Sequence, residues 1–302
     1  MTVAGPIVLA RYQDERGLLH SRTAGKHGIL QLEFARTDDR SVLAHLHRQA
    51  PLLAQQALYW DEQLPAMPCV FVITTSGCIL QGDRLDISIS VGRGAMAHVT
   101  TQAATKVHEM DASFAEQSTR LQLADDAYLE LLPGPVIPHR HSRFVTSTSA
   151  EVAPTATMLI AEVVAAGRKH HGGEVFEYDL YSSALTITRP DGSVLCTDKL
   201  VSEPRRYPVR HAGAMGEFEV LASVTVAAPT PLADAVLDRV DATVDADTGC
   251  MAGASRLPND AGLVYRVLGK ETEPVRAKVR AFWQLVRYEA IGAGIPERRS
   301  WA

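Results

Sequence analysis

No apolar run in this 302-residue chain approaches the roughly 20 residues that a helix needs to cross a bilayer, so no transmembrane segment is expected. Cysteine is scarce and scattered. Cys69, Cys78, Cys196 and Cys250 form no C-x-x-C pair, which argues against a thiolate zinc site and against a disulfide framework. No basic stripe is interleaved with aromatics, and 30 Lys and Arg against 35 Asp and Glu leave a net charge of −5. Nucleic acid is therefore not an expected partner. Catalytic signatures are missing too: there is no G-x-S-x-G, no H-E-x-x-H and no cysteine beside a motif-placed histidine, so no triad can be assembled. Gly92-x-Gly94 stands outside any phosphate-loop or dinucleotide context. The first residues carry a short apolar run without a basic segment before it, and the expected location is the cytoplasm.

What the chain does contain is a succession of short alternating segments. With 46% hydrophobic and 22% charged residues it has the composition of a globular protein able to bury a sizeable core. Residues 74–106 are the clearest part. Leu85, Ile87, Ile89 and Val91 alternate with Asp86, Ser88 and Ser90, the period of a half-buried strand. Gly77, Gly82, Gly92 and Gly94 punctuate the stretch with turns, and Thr100-Thr101 and Lys106 close it. Upstream, residues 28–34 and 42–47 read as a hairpin about the turn 37–41, followed by a strand over 69–74. Downstream, strands are expected at 120–123, 127–132, 143–149, 158–164, 175–180, 184–188, 193–197 and 218–226. Helical period comes late. Thr230-Pro231 starts a helix with Leu232, Val236 and Val240 on one side, and a second runs from Pro274 to about Tyr288 on Val275, Val279, Phe282 and Val286. So many strands without strand–helix alternation define a mainly β fold, and periodicity does not separate a sandwich from a β-helix.

The run Gly77, Gly82-Asp83-Arg84-Leu85 and Thr100 to Lys106 resembles the signature of the urease accessory protein UreD (UreH) family. So do the leucine- and proline-rich passage 129–144, the Gly167-Arg168…Glu174 passage and the ending Arg298-Arg299-Ser300-Trp301, the last without the family's proline. The resemblance implies one domain over residues 1–302, folded as a β-helix-like stack of short strands with two helices near the C-terminus. It further implies a non-catalytic scaffold that docks on apo-urease and, with UreF and UreG, assists nickel insertion, the ion passing through an internal tunnel. A homodimer within the accessory complex belongs to the same expectation. No cofactor is held tightly; Ni(II) is a transient passenger, which carboxylates, hydroxyls, carbonyls and imidazoles suit better than a thiolate cage. On this reading Asp83, Thr100, Thr101 and Glu174 are path or interface residues, and Arg168 is their counter-charge.

Each of these residues also has a plainer reading. Asp83 and Arg84 make a turn acid and its ion-pair partner, and Thr100-Thr101 suit a strand by propensity. His139-x-His141 on an extended segment would present two imidazoles on one face for transient metal contact, or be exposed polar groups beside a proline-rich turn. His45-x-His47 has the same spacing, whereas the adjacent His170-His171 would point to opposite sides. Asp241, Asp245 and Asp247 lack the spacing of a calcium loop and read as a helix end and an acidic turn. Phe282, Trp283 and Trp301 offer either a docking surface or core. The alternative function is a β-rich hydrolase or carbohydrate-processing enzyme, which would need two carboxylates in one cleft, with Asp83 and Glu130 the candidates.

Overall fold

The computed structural model describes Leu9, Tyr12 and residues 25–296. The C-terminal resemblance at residues 298–301, with Trp301, lies outside the described residues, as do most of the first 24.

The chain begins with β1 (His27–Arg36), β2 (Ser41–Gln49), β3 (Leu52–Ala54), β4 (Cys69–Thr74), β5 (Arg84–Val91) and β6 (Met96–Thr101). It continues through β7 (Thr105–Val107), β8 (Ala115–Leu123), β9 (Tyr128–Leu132), β10 (Val136–Pro138), β11 (Arg143–Val152) and β12 (Thr157–Ala165). Then come β13 (Leu180–Thr188), β14 (Val194–Ser202), β15 (Val220–Ala227), helix α1 (Thr230–Leu237), β16 (Thr243–Asp245), β17 (Cys250–Arg256), β18 (Gly262–Gly269) and helix α2 (Thr272–Ile291). Two sheets result. One has the order β14-β13-β11-β8-β5-β1-β2, and the other runs β16-β17-β18-β15-β12-β9-β6-β4-β3, with β10 and β7 attached at β12.

Successive strands alternate between the sheets. β5, β8, β11 and β13 pair in parallel in the first, while β6, β9 and β12 pair in parallel in the second. The connection between parallel neighbours is thus a strand of the opposite sheet, where an α/β protein would use a helix. This is a coil of strands, the β-helix-like stack with two late helices that the resemblance implied. Registers are continuous, so inward side chains stack in rows across the first sheet. Ile89, Leu121, Ala150 and Ile187 form one row, all fully buried. Two residues towards the strand starts, Ile87, Thr119, Thr148 and Leu185 form the next, and beyond it Leu85, Gln117, Thr146 and Ser183. The interior is apolar at one end and increasingly polar towards the other.

A third layer covers the outer face of the second sheet. The predicted stripe of α2 is buried there, with Trp283 and Arg287 added to Val275, Val279, Phe282 and Val286, against Leu132, Leu159, Ala161 and Val163. Phe282 and Trp283 are therefore core, not docking surface. The helix ends at Gly292, whose φ of 68° gives the left-handed cap that glycine accepts at low cost. In α1, Pro229 is the cap and makes no side-chain bond; Val236 packs inward, and Val240 falls past the end. No described helix is long and apolar enough to cross a membrane.

One expectation requires correction, and one region is unassigned by the sequence pattern. Residues 175–179 are not a strand: Phe176 adopts a φ of 59° and its N–H bonds to Ala166, breaking the extended run before β13. The region between the helices, to which the sequence pattern assigns no element, holds the meander β16-β17-β18. Cys250–Arg256 reads CMAGASR, with hardly any of the β-branched residues that mark a strand in sequence.

Candidate functional site

The polar rows of the coil open into a cavity of about 120 Å³ between the sheets. Gln117, Thr119, Thr146 and Thr148 line it from the first sheet and Val99, Thr101, Leu131, Ile160 and Glu162 from the second. A second hollow of about 90 Å³ shares Thr148, Ile160 and Glu162 with it and continues past Ser183, Asp198, Lys199 and Arg266. At the other side a hollow of about 350 Å³, lined by Cys78, Gln102 and Lys106, shares Thr74, Ile79, Thr101 and Thr105 with the cavity. Three hollows thus share walls in series, and Glu162 lines two of them.

Glu162 reaches this position because β12, reading TMLIAEVVA, turns Ile160, Glu162 and Val164 to the same side by strand alternation. Tyr181 donates a hydrogen bond to its Oε1 at 2.8 Å. Loss of water pushes the carboxyl above the ordinary value of 4.5, opposed by hydrogen bonds from Ser183 and Tyr181. Burial also raises the Tyr181 hydroxyl well above its usual range, with the neighbouring Glu162 adding to the effect. Across the second hollow, burial lowers the Lys199 ammonium, which donates to Ser182 Oγ at 2.8 Å.

A second charged group sits on the outer face of the same sheet. Arg287 of α2 donates from Nε and Nη2 to the two oxygens of Glu130, both at 2.7 Å, and from Nη1 to Asp61 at 2.6 Å. His98 Nδ1 and Tyr128 each add a 2.7 Å bond to Glu130. Burial pushes the Glu130 carboxyl up, but the bonds from Arg287 and His98 outweigh it and hold it far below the usual range. Sequence reasoning had named neither Glu162 nor Arg287 as functional. The available signal was a single charge inside an apolar pattern: Glu162 within MLIAEVV, Glu130 within YLELL, and Arg287 four residues after Trp283 on the helix stripe.

Of the sequence candidates, Thr100 and Thr101 belong to the cavity wall. The Thr100 hydroxyl donates to Leu132 O at 2.6 Å; that of Thr101 donates to Ala103 O and accepts from Gly134 N, both at 2.8 Å. Asp83 is elsewhere, buried in the turn before β5, where its carboxylate accepts the N–H groups of Lys26 and Leu80. Asp83 precedes a strand of the first sheet, whereas Glu130 lies on the second and is engaged by the helix clamp, and none of the hollows described above is lined by both carboxylates. Arg168 and Glu174 form a two-bond ion pair. Gly167 stands beside them with a φ of 143°, and a Cβ there would lie 2.6 Å from the Glu174 carbonyl oxygen, so the close approach needs glycine. His139 and His141 part company. The His139 ring lies against His108, whereas His141, in the left-handed region at a φ of 57°, bonds to Arg205. Burial, then the charge of Arg168, lowers the His139 imidazole to about 4. His45 and His47 are exposed on β2, and His170 lies 3.5 Å from Glu271. Asp245 caps an acidic turn, accepting from the N–H groups of Asp247 and Thr248. Among the described residues no group of three or more His, Cys, Asp or Glu is placed to hold a metal ion.

A parallel two-sheet coil, covered on one face by helices and holding polar hollows between its sheets, defines a mainly β protein with a lined interior. The model of the UreD urease accessory protein family matches residues 26–302. Urease accessory protein UreD 2 of Brucella suis is 49% identical over 295 residues, covering 97% of this chain and 98% of its own. Urease accessory protein UreD of Photorhabdus laumondii is 48% identical, and that of Yersinia pseudotuberculosis 46%, each covering 97% of this chain and 92% of its own. The chain belongs to the UreD family.

Proposed function

We propose that this chain is a non-catalytic maturation factor for urease that docks on the apo-enzyme and, with UreF- and UreG-type partners in the cytoplasm, passes nickel to the active site through its own interior. A homodimer within that accessory complex is part of the reading. The observation that supports it is the series of three hollows with shared walls, Thr101 and Thr105 on one side and Glu162 on the other. Hydroxyls and a single carboxylate are hard, weakly holding ligands, suited to an ion that must leave again. In this role Glu162, whose carboxyl burial holds above its ordinary value, offers the one charged ligand of the central cavity, while Thr101 and Thr148 supply neutral oxygen. Asp83 and the Arg168–Glu174 pair act outside the path, the first as a turn anchor and the second as a brace at the coil end.

The test is co-expression of urease subunits with the other accessory proteins and nickel, with and without this chain, scoring nickel per active site together with ureolysis. Both quantities should be low without the chain and restored with it, and Glu162→Ala should restore neither fully while remaining folded. Equal nickel content and activity in the presence and absence of the chain would refute the reading.

A further inference from the structure

We propose that His108 and His139 form a two-imidazole binding site for a borderline divalent cation, Ni(II) being the type ion, on the coil edge built by β7 and β10. These strands pair in parallel from Thr105–Val136 to Val107–Pro138, and one further step sets His108 beside His139. The His139 N–H donates to Val107 O at 2.9 Å. The ring centres are 5.7 Å apart, with the planes tilted by 56°. A metal–nitrogen distance of about 2.1 Å places the centres of two imidazoles sharing one ion roughly 5 Å apart, so small rotations suffice.

The nitrogen inventory favours the same conclusion. His108 Nδ1 lies 3.1 Å from the carbonyl oxygen of Glu109. A carbonyl only accepts, so Nδ1 carries the proton and, in the neutral ring, Nε2 carries the lone pair. Metal-ligating histidines are commonly oriented in this way, by donating their other N–H to a backbone carbonyl. His139 is 5% exposed, and its buried Nε2 has no hydrogen-bond partner, a condition that is unfavourable for a buried polar atom. The nearest cations are largely answered: Arg168 by Glu174 and Arg140 by Glu109, with Lys106 exposed on the same strand. Two protein ligands leave the remaining positions to water or to a partner's side chain, so the ion stays exchangeable. This site lies outside the three hollows and does not depend on their carrying nickel.

The experiment is equilibrium dialysis of the purified full chain against Ni(II), with Cu(II) electron paramagnetic resonance to count imidazole nitrogens. His108→Ala, at an exposed position, should lose one nickel equivalent or bind it at least about tenfold more weakly, and the copper spectrum should fall from two coupled nitrogens to one. His139→Phe, which keeps a ring in the buried position, should do the same; His45→Ala/His47→Ala should keep the equivalent. Unchanged stoichiometry, affinity and nitrogen coupling in His108→Ala, as expected if a buried water merely satisfies Nε2, would overturn the proposal. Because the readout is binding by the isolated chain, it is independent of whether the chain restores urease.

Discussion

Burial in the cavity wall, with the charge of Asp198 adding to it, raises the Glu162 carboxyl above its ordinary value, and the hydrogen bonds from Ser183 and Tyr181 only partly offset the rise. The consequence for stability has a definite sign. With a folded value raised above 4.5, the native state retains a proton that the unfolded chain has released. This contribution is complete below about 4.5 and is lost as pH rises through the raised value. Glu162→Gln removes the titration, so its unfolding free energy in urea relative to the parent should climb as pH rises between about 5 and 8, by no more than about 1.4 kcal/mol per pH unit. A constant difference across that range would show that the group titrates normally. At this scale the sequence was legible where a side chain acts on its own backbone neighbourhood, as with Asp83 and Asp245 in their turns. It was not legible where function depends on what lies opposite. Nothing local to His139 says that the strand beside it supplies His108 and that His141 turns away.

Helix α2 is held by more than its apolar stripe. Arg287 meets Glu130 and Asp61 with hardly any water present, and its ring neighbour Trp283 stacks on His98 at 5.4 Å. Removing one member leaves the others charged and buried, a change that typically costs about 3–5 kcal/mol. Arg287→Met should therefore lower the unfolding free energy by that order in chemical denaturation, well beyond the loss of a surface ion pair. A drop under about 1 kcal/mol would mean that the apolar stripe alone seats the helix. The helix itself was visible from Val275, Val279, Phe282 and Val286 at helical spacing. The arginine on the stripe was invisible because periodicity sorts residues by polarity, and here a charge lies on the apolar side. β17 escaped for the opposite reason: it owes its extended form to hydrogen bonding between β16 and β18 rather than to its own composition.

Across the whole molecule, the alternation of strands between sheets makes each coil lean on the next, as the register of Leu85 with Gln117 and of Gln117 with Thr146 illustrates. Such stacks expose an unpaired strand at each end unless something closes them. In the first sheet β2 does so, running antiparallel to β1 with mostly exposed side chains, His45, His47 and Arg48 among them. Deleting residues 25–49 should bare the edge of β5 and yield concentration-dependent self-association in analytical ultracentrifugation; a single unassociated species with the parental circular dichroism would argue that the edge is closed by other means. That strands dominate was plain from the alternating patterns. That they are parallel was not, because a coil replaces the helical crossovers by which parallel sheets announce themselves in sequence.

The clamp between α2 and β9 also orders events in time. Glu130 and Arg287 are 157 positions apart, so during synthesis the coils around β9 can zip together while the guanidinium that will neutralise their outer face has not yet been made. Until Arg287 emerges, the Glu130 carboxylate has only His98 and Tyr128 to answer it, on an apolar sheet face that the helix does not yet cover. A chain cut short by its last few dozen residues lacks α2 and leaves that apolar face open to water.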